Sequence, residues 1–198
     1  MLKDQLKNYK IILASGSPRR RQFLKELELD FEIRLKPVDE IYPEQLKAEA
    51  ITDYLAKLKA EAFVNEIQPN ELIITSDTIV WHNNTALGKP LDKSHAKTMI
   101  FSLSDDWHQV ISSVCFTTAT QQIIKHFTTE VHFKSLSEEE INYYVEKYNP
   151  IDKAGAYGIQ EWIGLIGIDT IKGSYFNVVG LPTHIVYETL IELTKNET

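Results

Sequence analysis

Apolar residues recur along this chain with two alternating periods, that of a helix face and that of a strand, so the pattern alone predicts mixed α and β elements. Ile11-Ile12-Leu13 is a short continuous apolar run of the kind a buried strand shows. Ser17 follows as an N-cap and Pro18 suits the first helical position, after which Phe23, Leu24 and Leu27 return at helical spacing. Residues 31–35 alternate like a half-buried strand, and 37–43 form a loop bounded by prolines. Ile51, Tyr54, Leu55, Leu58 and Ala62 fall on one face of a long amphipathic helix, which Pro69 and Asn70 bring to a close.

The second half continues the alternation. Residues 72–80 are rich in β-formers, and Asn83-Asn84 between Trp81 and Leu87 predicts a hairpin turn. Ala96, Met99, Ile100 and Leu103 mark a helix, and 109–120 and 122–133 read as neighbouring antiparallel strands. Ser137 with Glu140 makes a capping box, so the acidic run 138–140 serves a helix dipole. Pro182 opens a last helix containing Ile185, Val186, Leu190 and Leu193. With no repeat, low-complexity stretch or linker, residues 1–198 predict one α/β domain built on a mixed sheet.

Composition narrows the class. The 198 residues are 43% hydrophobic and 25% charged, which suits a globular protein and excludes disorder. The net charge of -7 argues against a general nucleic-acid binder, because such proteins present a broad basic face to the backbone. A polyphosphate ligand would then require the few cations to gather in one pocket, helped by a divalent metal. The polar start MLKDQLKNYK lacks a signal core and no apolar run approaches a membrane span, so a cytoplasmic protein with no membrane partner is expected. The single cysteine, Cys115, sits among apolar neighbours and reads as a core thiol. The six histidines show no paired metal-ligand spacing, so zinc chemistry is not expected.

Candidate chemistry collects in a few segments. Ser15-Gly16-Ser17-Pro18-Arg19-Arg20 places hydroxyls, a free helix start and two guanidinium groups together, which suits phosphate; it equally fits an ordinary strand-to-helix turn with solvated arginines. Asp77, in Thr75-Ser76-Asp77-Thr78, interrupts an apolar strand, where a carboxylate is costly unless it belongs to a site or a structural ion pair. Asp39 and Glu40 are hard oxygen donors suited to magnesium or manganese, or else a solvated acidic turn. Lys89 after Gly88 offers a mobile charge, although alone it reads as a surface residue. In Asp152-Lys153-Ala154-Gly155-Ala156-Tyr157-Gly158-Ile159-Gln160, the Gln160 amide suits a pyrimidine edge and Tyr157 a ring, while a glycine-containing turn entering a strand explains the segment as well. Residues 173–182 either brace such a pocket or shape the entrance to the last helix.

Taken in order, LASGSPRR, VDE, LAKLKA, SDT, GKP, DKAGAYGIQ and GSYFNVVGLP resemble the Maf family of nucleoside triphosphate pyrophosphatases over nearly the whole chain. The resemblance implies an elongated α/β fold with a central mixed sheet flanked by helices and two lobes with a cleft between them, similar to inosine triphosphatases. It implies a homodimer and metal-dependent hydrolysis of a nucleoside triphosphate to the monophosphate and pyrophosphate, with Mg2+ or Mn2+. By motif, Asp77 matches the active-site aspartate and Ser15, Arg19, Glu40, Lys59, Lys89 and Gln160 the substrate-lining residues, with Arg20 beside them, and Glu40 and Asp77 are the acids expected to hold the metal. Thr78 and Gln160 match positions tied to substrate choice, and DKAGAYGIQ looks like the dTTP and UTP branch; the alternatives are 7-methyl-GTP hydrolysis or a non-catalytic nucleotide-binding regulator of cell division. Three departures stand out: Ser76 where alanine is more frequent, Asp105 where glycine is typical, and Glu161 where glycine is common.

Overall fold

The computed structural model describes residues 2–195. The strands β1 (Lys10–Leu13), β2 (Phe31–Ile33), β3 (Glu71–His82), β4 (Thr85–Leu87), β5 (Trp107–Thr117), β6 (Gln122–Phe133) and β7 (Ile168–Lys172) pair in the order β2-β1-β3-β5-β6-β7, with β4 on β3. This is the expected mixed sheet. Its helices are α1 (Leu2–Gln5), α2 (Pro18–Glu26), α3 (Glu49–Glu61), α4 (Lys93–Leu103), α5 (Glu138–Tyr148), α6 (Trp162–Gly167), α7 (Tyr175–Val179) and α8 (Thr183–Lys195). None of the described helices is long and apolar enough to cross a membrane. The chain divides into two compact units, one holding residues up to Asp77, Ser112–Phe127 and everything from Gly180 on, the other Thr78–Ile111 and Thr128–Val179.

The first unit rests on parallel pairing. Ile11 lies opposite both Phe31 and Leu72, so β1 is flanked on each side by a parallel neighbour, and parallel neighbours require crossovers, which α2 and α3 supply. Ile12 and Ile73 pack with Phe63, while Ala56 and Ala60 of α3 pack against the buried Cys115. Burial pushes the Cys115 thiol pKa up, as a core thiol requires. α1 packs on α8. Glu71 is buried at the start of β3 and is held by two bonds from Arg34, at 2.6 and 3.1 Å, which lower its pKa.

In the second unit the hairpin forms as predicted. Asn83 and Asn84 both take positive φ, and Val80 pairs with Leu87. α4 buries Ala96, Met99, Ile100 and Leu103 and packs on α5, whose capping box from Ser137 and Glu140 is complete. Asp105 has φ 60°, a conformation glycine adopts freely and aspartate tolerates, which explains the exchange at that position.

Several boundaries move. The long helix ends at Glu61 and continues as turns, instead of running to Pro69; Tyr54 on it is exposed. β2 is three residues long and its Ile33 faces solvent, because an edge strand buries little. β5 starts at Trp107 and stops at Thr117, where Thr118 N–H bonds Gln121 O and closes a four-residue turn into β6, so the two strands are antiparallel as expected. Residues 150–160 pass through 3-10 turns into the short helix α6, and not into a strand.

Candidate active site

The loop after β1 builds the first part of the site. The Ser15 hydroxyl accepts the Ser17 N–H at 3.3 Å, and the Ser17 hydroxyl accepts the Arg20 N–H at 3.4 Å with Pro18 at the first helical position. The cap therefore forms as predicted. Gly16 is exposed at the head of α2.

Arg20 does something the sequence did not reveal. Its Nε donates to Gly180 O at 3.0 Å and its Nη1 to Ser76 O at 2.8 Å, with a longer contact to the Ser15 hydroxyl at 3.4 Å. One guanidinium thus ties the loop, β3 and the approach to α8 together. Burial lowers the Arg20 pKa, the neighbouring Arg19 adds to that, and Asp77 and Glu40 oppose it. The acceptors are backbone carbonyls, which carry no side-chain signature, so only the folded chain shows them. Gly180 has φ 129°, and its carbonyl places residues 173–182 partly in the role of shaping the last helix's entrance.

Next to this tie lies the ionic centre. Thr75 anchors β3 to α3 through a 2.6 Å bond to Ala56 O, and Asp77, two residues on, receives Lys59 Nζ on Oδ1 at 2.7 Å. The same ammonium lies 3.1 Å from Glu40 Oε1. Lys59 stands in the last turn of α3, so a helix, a central strand and a loop converge on one cation. Asp77 is buried and Glu40 exposed, which makes Asp77 the carboxylate whose pairing matters most. The Ser76 hydroxyl is buried without a hydrogen-bond partner, so the alanine more frequent there would lose no bond.

The remaining predicted residues belong to the second unit. Thr78 is half-buried, and Lys89 and Gln160 are exposed. Gly155 N–H bonds Gly88 O at 3.1 Å, joining the Lys89 loop to the turn before Gln160. Tyr157 corrects the expectation that it would lie beside a ligand ring: it is buried against Phe133 and its hydroxyl meets His108 Nε2 at 2.6 Å. Glu161 is also accounted for. Its carboxylate lies 3.2 Å from the buried Lys153 ammonium and accepts the hydroxyl of Tyr144, which in turn accepts the Gly158 N–H at 3.1 Å. The added charge beside Gln160 is thus paired with an ammonium that Asp152 shares at 2.7 Å, and burial and Glu161 push the Tyr144 pKa up.

Among the described residues no group of three or more His, Cys, Asp and Glu gathers as a metal cage. The donors available to a hard cation are the Glu40 and Asp77 carboxylates that share Lys59.

Residues 10–193 match the family described as Maf-like protein. A dTTP/UTP pyrophosphatase of Flavobacterium johnsoniae is 61% identical over 193 residues, covering 98% of this chain and all of that protein. A dTTP/UTP pyrophosphatase of Christiangramia forsetii is 56% identical, covering 99% of this chain and all of that protein. Among solved structures, the Staphylococcus aureus Ham1 protein aligns with a TM-score of 0.49 at 15% identity, over 91% of this chain and 99% of that one. Since the motifs that form the loop, the ionic centre and the Gln160 turn lie within one matched stretch, the chain belongs to the Maf-like family.

Proposed function

We propose that this protein is a pyrophosphatase of dTTP and UTP, releasing the nucleoside monophosphate and pyrophosphate. The full-length similarity to relatives bearing that name supports the substrate class. The observation that carries the chemistry is Lys59 bonded to both Asp77 and Glu40, beside a helix start and two arginines. That combination suits a polyanion whose charge grows on one side as a bond breaks.

The reaction needs water to attack the α-phosphorus while the bond from that phosphorus to the bridging oxygen breaks, the electron pair leaving with pyrophosphate. Arg19 and the loop after β1 bind the phosphate tail, and Arg20 holds that loop in place. Asp77 accepts a proton from the attacking water and Lys59 offsets the charge developing on pyrophosphate, while Lys89 keeps the substrate-lining part that the family motif assigns it. Thr78 and Gln160 take the part in base choice that the family motif assigns them, with the Gln160 amide donating to and accepting from a pyrimidine edge.

Two carboxylates fit Mg2+ or Mn2+, since magnesium keeps several waters and takes only one or two protein carboxylates together with substrate phosphates. Glu40 and Asp77 would hold it. Such an ion lends Lewis acidity and charge neutralisation to the phosphates when bound.

The test is pyrophosphate release from dTTP, UTP, CTP, dITP and 7-methyl-GTP, with and without magnesium. Turnover of dTTP and UTP that chelation abolishes is expected. Asp77→Asn should lower kcat by about 100-fold or more, a general-base loss, with an unchanged far-UV spectrum. Near-normal turnover in that variant removes Asp77 from the chemistry, and no release from any of the five nucleotides refutes the reading.

A further inference from the structure

Lys59 occupies the place between the two acids that the proposed reaction assigns to a divalent cation. Its ammonium is 2.7 Å from Asp77 and 3.1 Å from Glu40, and its side chain is only 17% exposed, with that of Asp77 at 9%. Both acids also act electrostatically on Arg20, whose Nε and Nη1 are held by Gly180, Ser76 and Ser15. The Lys59 ammonium therefore already offsets part of the negative charge that the two carboxylates would offer a free metal ion.

A divalent ion arriving alone has to break a largely buried ion pair and give up part of a tightly held water shell, and it gains no more than two carboxylates. A triphosphate changes both sides of that balance. It brings several negative charges and further oxygen ligands, and it gives the displaced ammonium new partners in its own phosphate oxygens.

We infer that Lys59 is a resident counter-ion for Glu40 and Asp77, which keeps the free divalent cation out and yields its place only to a cation that arrives with the nucleotide. This deepens the pyrophosphatase reading and rests on it for the identity of the metal-holding pair. Lys59 then has two successive roles: partner of the acids in the empty enzyme, and partner of the phosphate tail once substrate is bound.

The test reads metal binding and not turnover. Mn2+ is titrated into the protein while water-proton relaxation is recorded, which separates protein-bound ion from ion chelated by nucleotide alone. The proteins are wild type, Lys59→Met and the double variant Lys59→Met with Glu40→Gln, and wild type is repeated with a dTTP analogue bearing a methylene between the α and β phosphorus atoms. Wild type alone should bind Mn2+ weakly, and at least tenfold more tightly with the analogue. Lys59→Met alone should bind Mn2+ at least tenfold more tightly than wild type, and the double variant should lose that gain.

Tight Mn2+ binding by wild type without nucleotide overturns the inference. So does a folded Lys59→Met protein that binds Mn2+ no better than wild type while the analogue still recruits the ion, a result that spares the pyrophosphatase reading. If Lys59→Met does not fold, the comparison of wild type with and without analogue decides, and equal affinities refute the inference. An analogue that binds without bringing Mn2+ to wild type refutes the metal-dependent reading together with it.

Discussion

Replacing Arg20 by methionine removes the tie between the phosphate loop, β3 and the approach to α8, while keeping most of the side chain's apolar length. Two of its bonds are short and charge-assisted, 3.0 Å to Gly180 O and 2.8 Å to Ser76 O; the third, at 3.4 Å to Ser15, adds little. Hydrogen bonds from a charged donor contribute about 1.5–3 kcal/mol each, so the two together amount to roughly 3–6 kcal/mol. Against this stands the recovered cost of desolvating the guanidinium, the same burial that lowers its pKa. A net loss of about 3 kcal/mol follows, since the carbonyls left behind lose a charge-assisted donor. Arg20→Lys should lose about half as much, because an ammonium is a point donor and cannot span two acceptors as the planar fork does. Urea unfolding followed by far-UV circular dichroism at pH 7 measures both, read as a lower midpoint at unchanged slope. An Arg20→Met protein within about 0.5 kcal/mol of wild type, the scatter of ordinary surface substitutions, would refute this account and return Arg20 to the solvated-arginine reading.

His108 and Gly155 supply two further tests. Burial lowers the His108 pKa to about 3 from its ordinary 6.5, so the unfolded chain binds the extra proton between those values and stability is lost as pH falls through that window. Between pH 6.5 and 5 this amounts to about 2 kcal/mol from one group. His108→Gln keeps a partner for Tyr157 and removes the titration, so urea midpoints at pH 7 and 5 should converge in the variant; parallel losses in both proteins would rule His108 out as the cause. Gly155 has φ 66°, and a Cβ there would stand 2.6 Å from Val80 Cγ2. Gly155→Ala should cost at least about 2 kcal/mol of stability in a thermal melt, combining backbone strain with overpacking, and an unchanged melting temperature would show that Val80 gives way freely.

How much the linear chain discloses depends on where the physics is local. The Ser17 cap, the Asn83-Asn84 hairpin and the Ser137–Glu140 box are short-range hydrogen-bond chemistry, and each forms where the residues predict it. The buried faces of α4 and β3 follow from apolar spacing for the same reason. Asp77 was conspicuous because a carboxylate inside an apolar strand demands a partner, and the partner exists in Lys59. Lys59 itself carried no local signal, because a lysine in a helix usually faces water, and only the family motif singled it out.

What the sequence determined alone was therefore its α/β alternation, its caps and turns, and the presence of a carboxylate too costly to be idle. Tertiary structure decided who meets whom: Arg20 with the carbonyls of Gly180 and Ser76, Tyr157 with His108 in the core, Glu161 with Lys153 and Tyr144, and Lys59 with two acids from separate elements. The physical reason is that caps and turns are closed by neighbours a few positions away, whereas these pairings, Glu161 with Lys153 apart, join residues far from one another in the chain, two of them through backbone carbonyls that every residue possesses. Nothing in a residue's own chemistry specifies such a partner until the sheet and its crossovers have brought the two together.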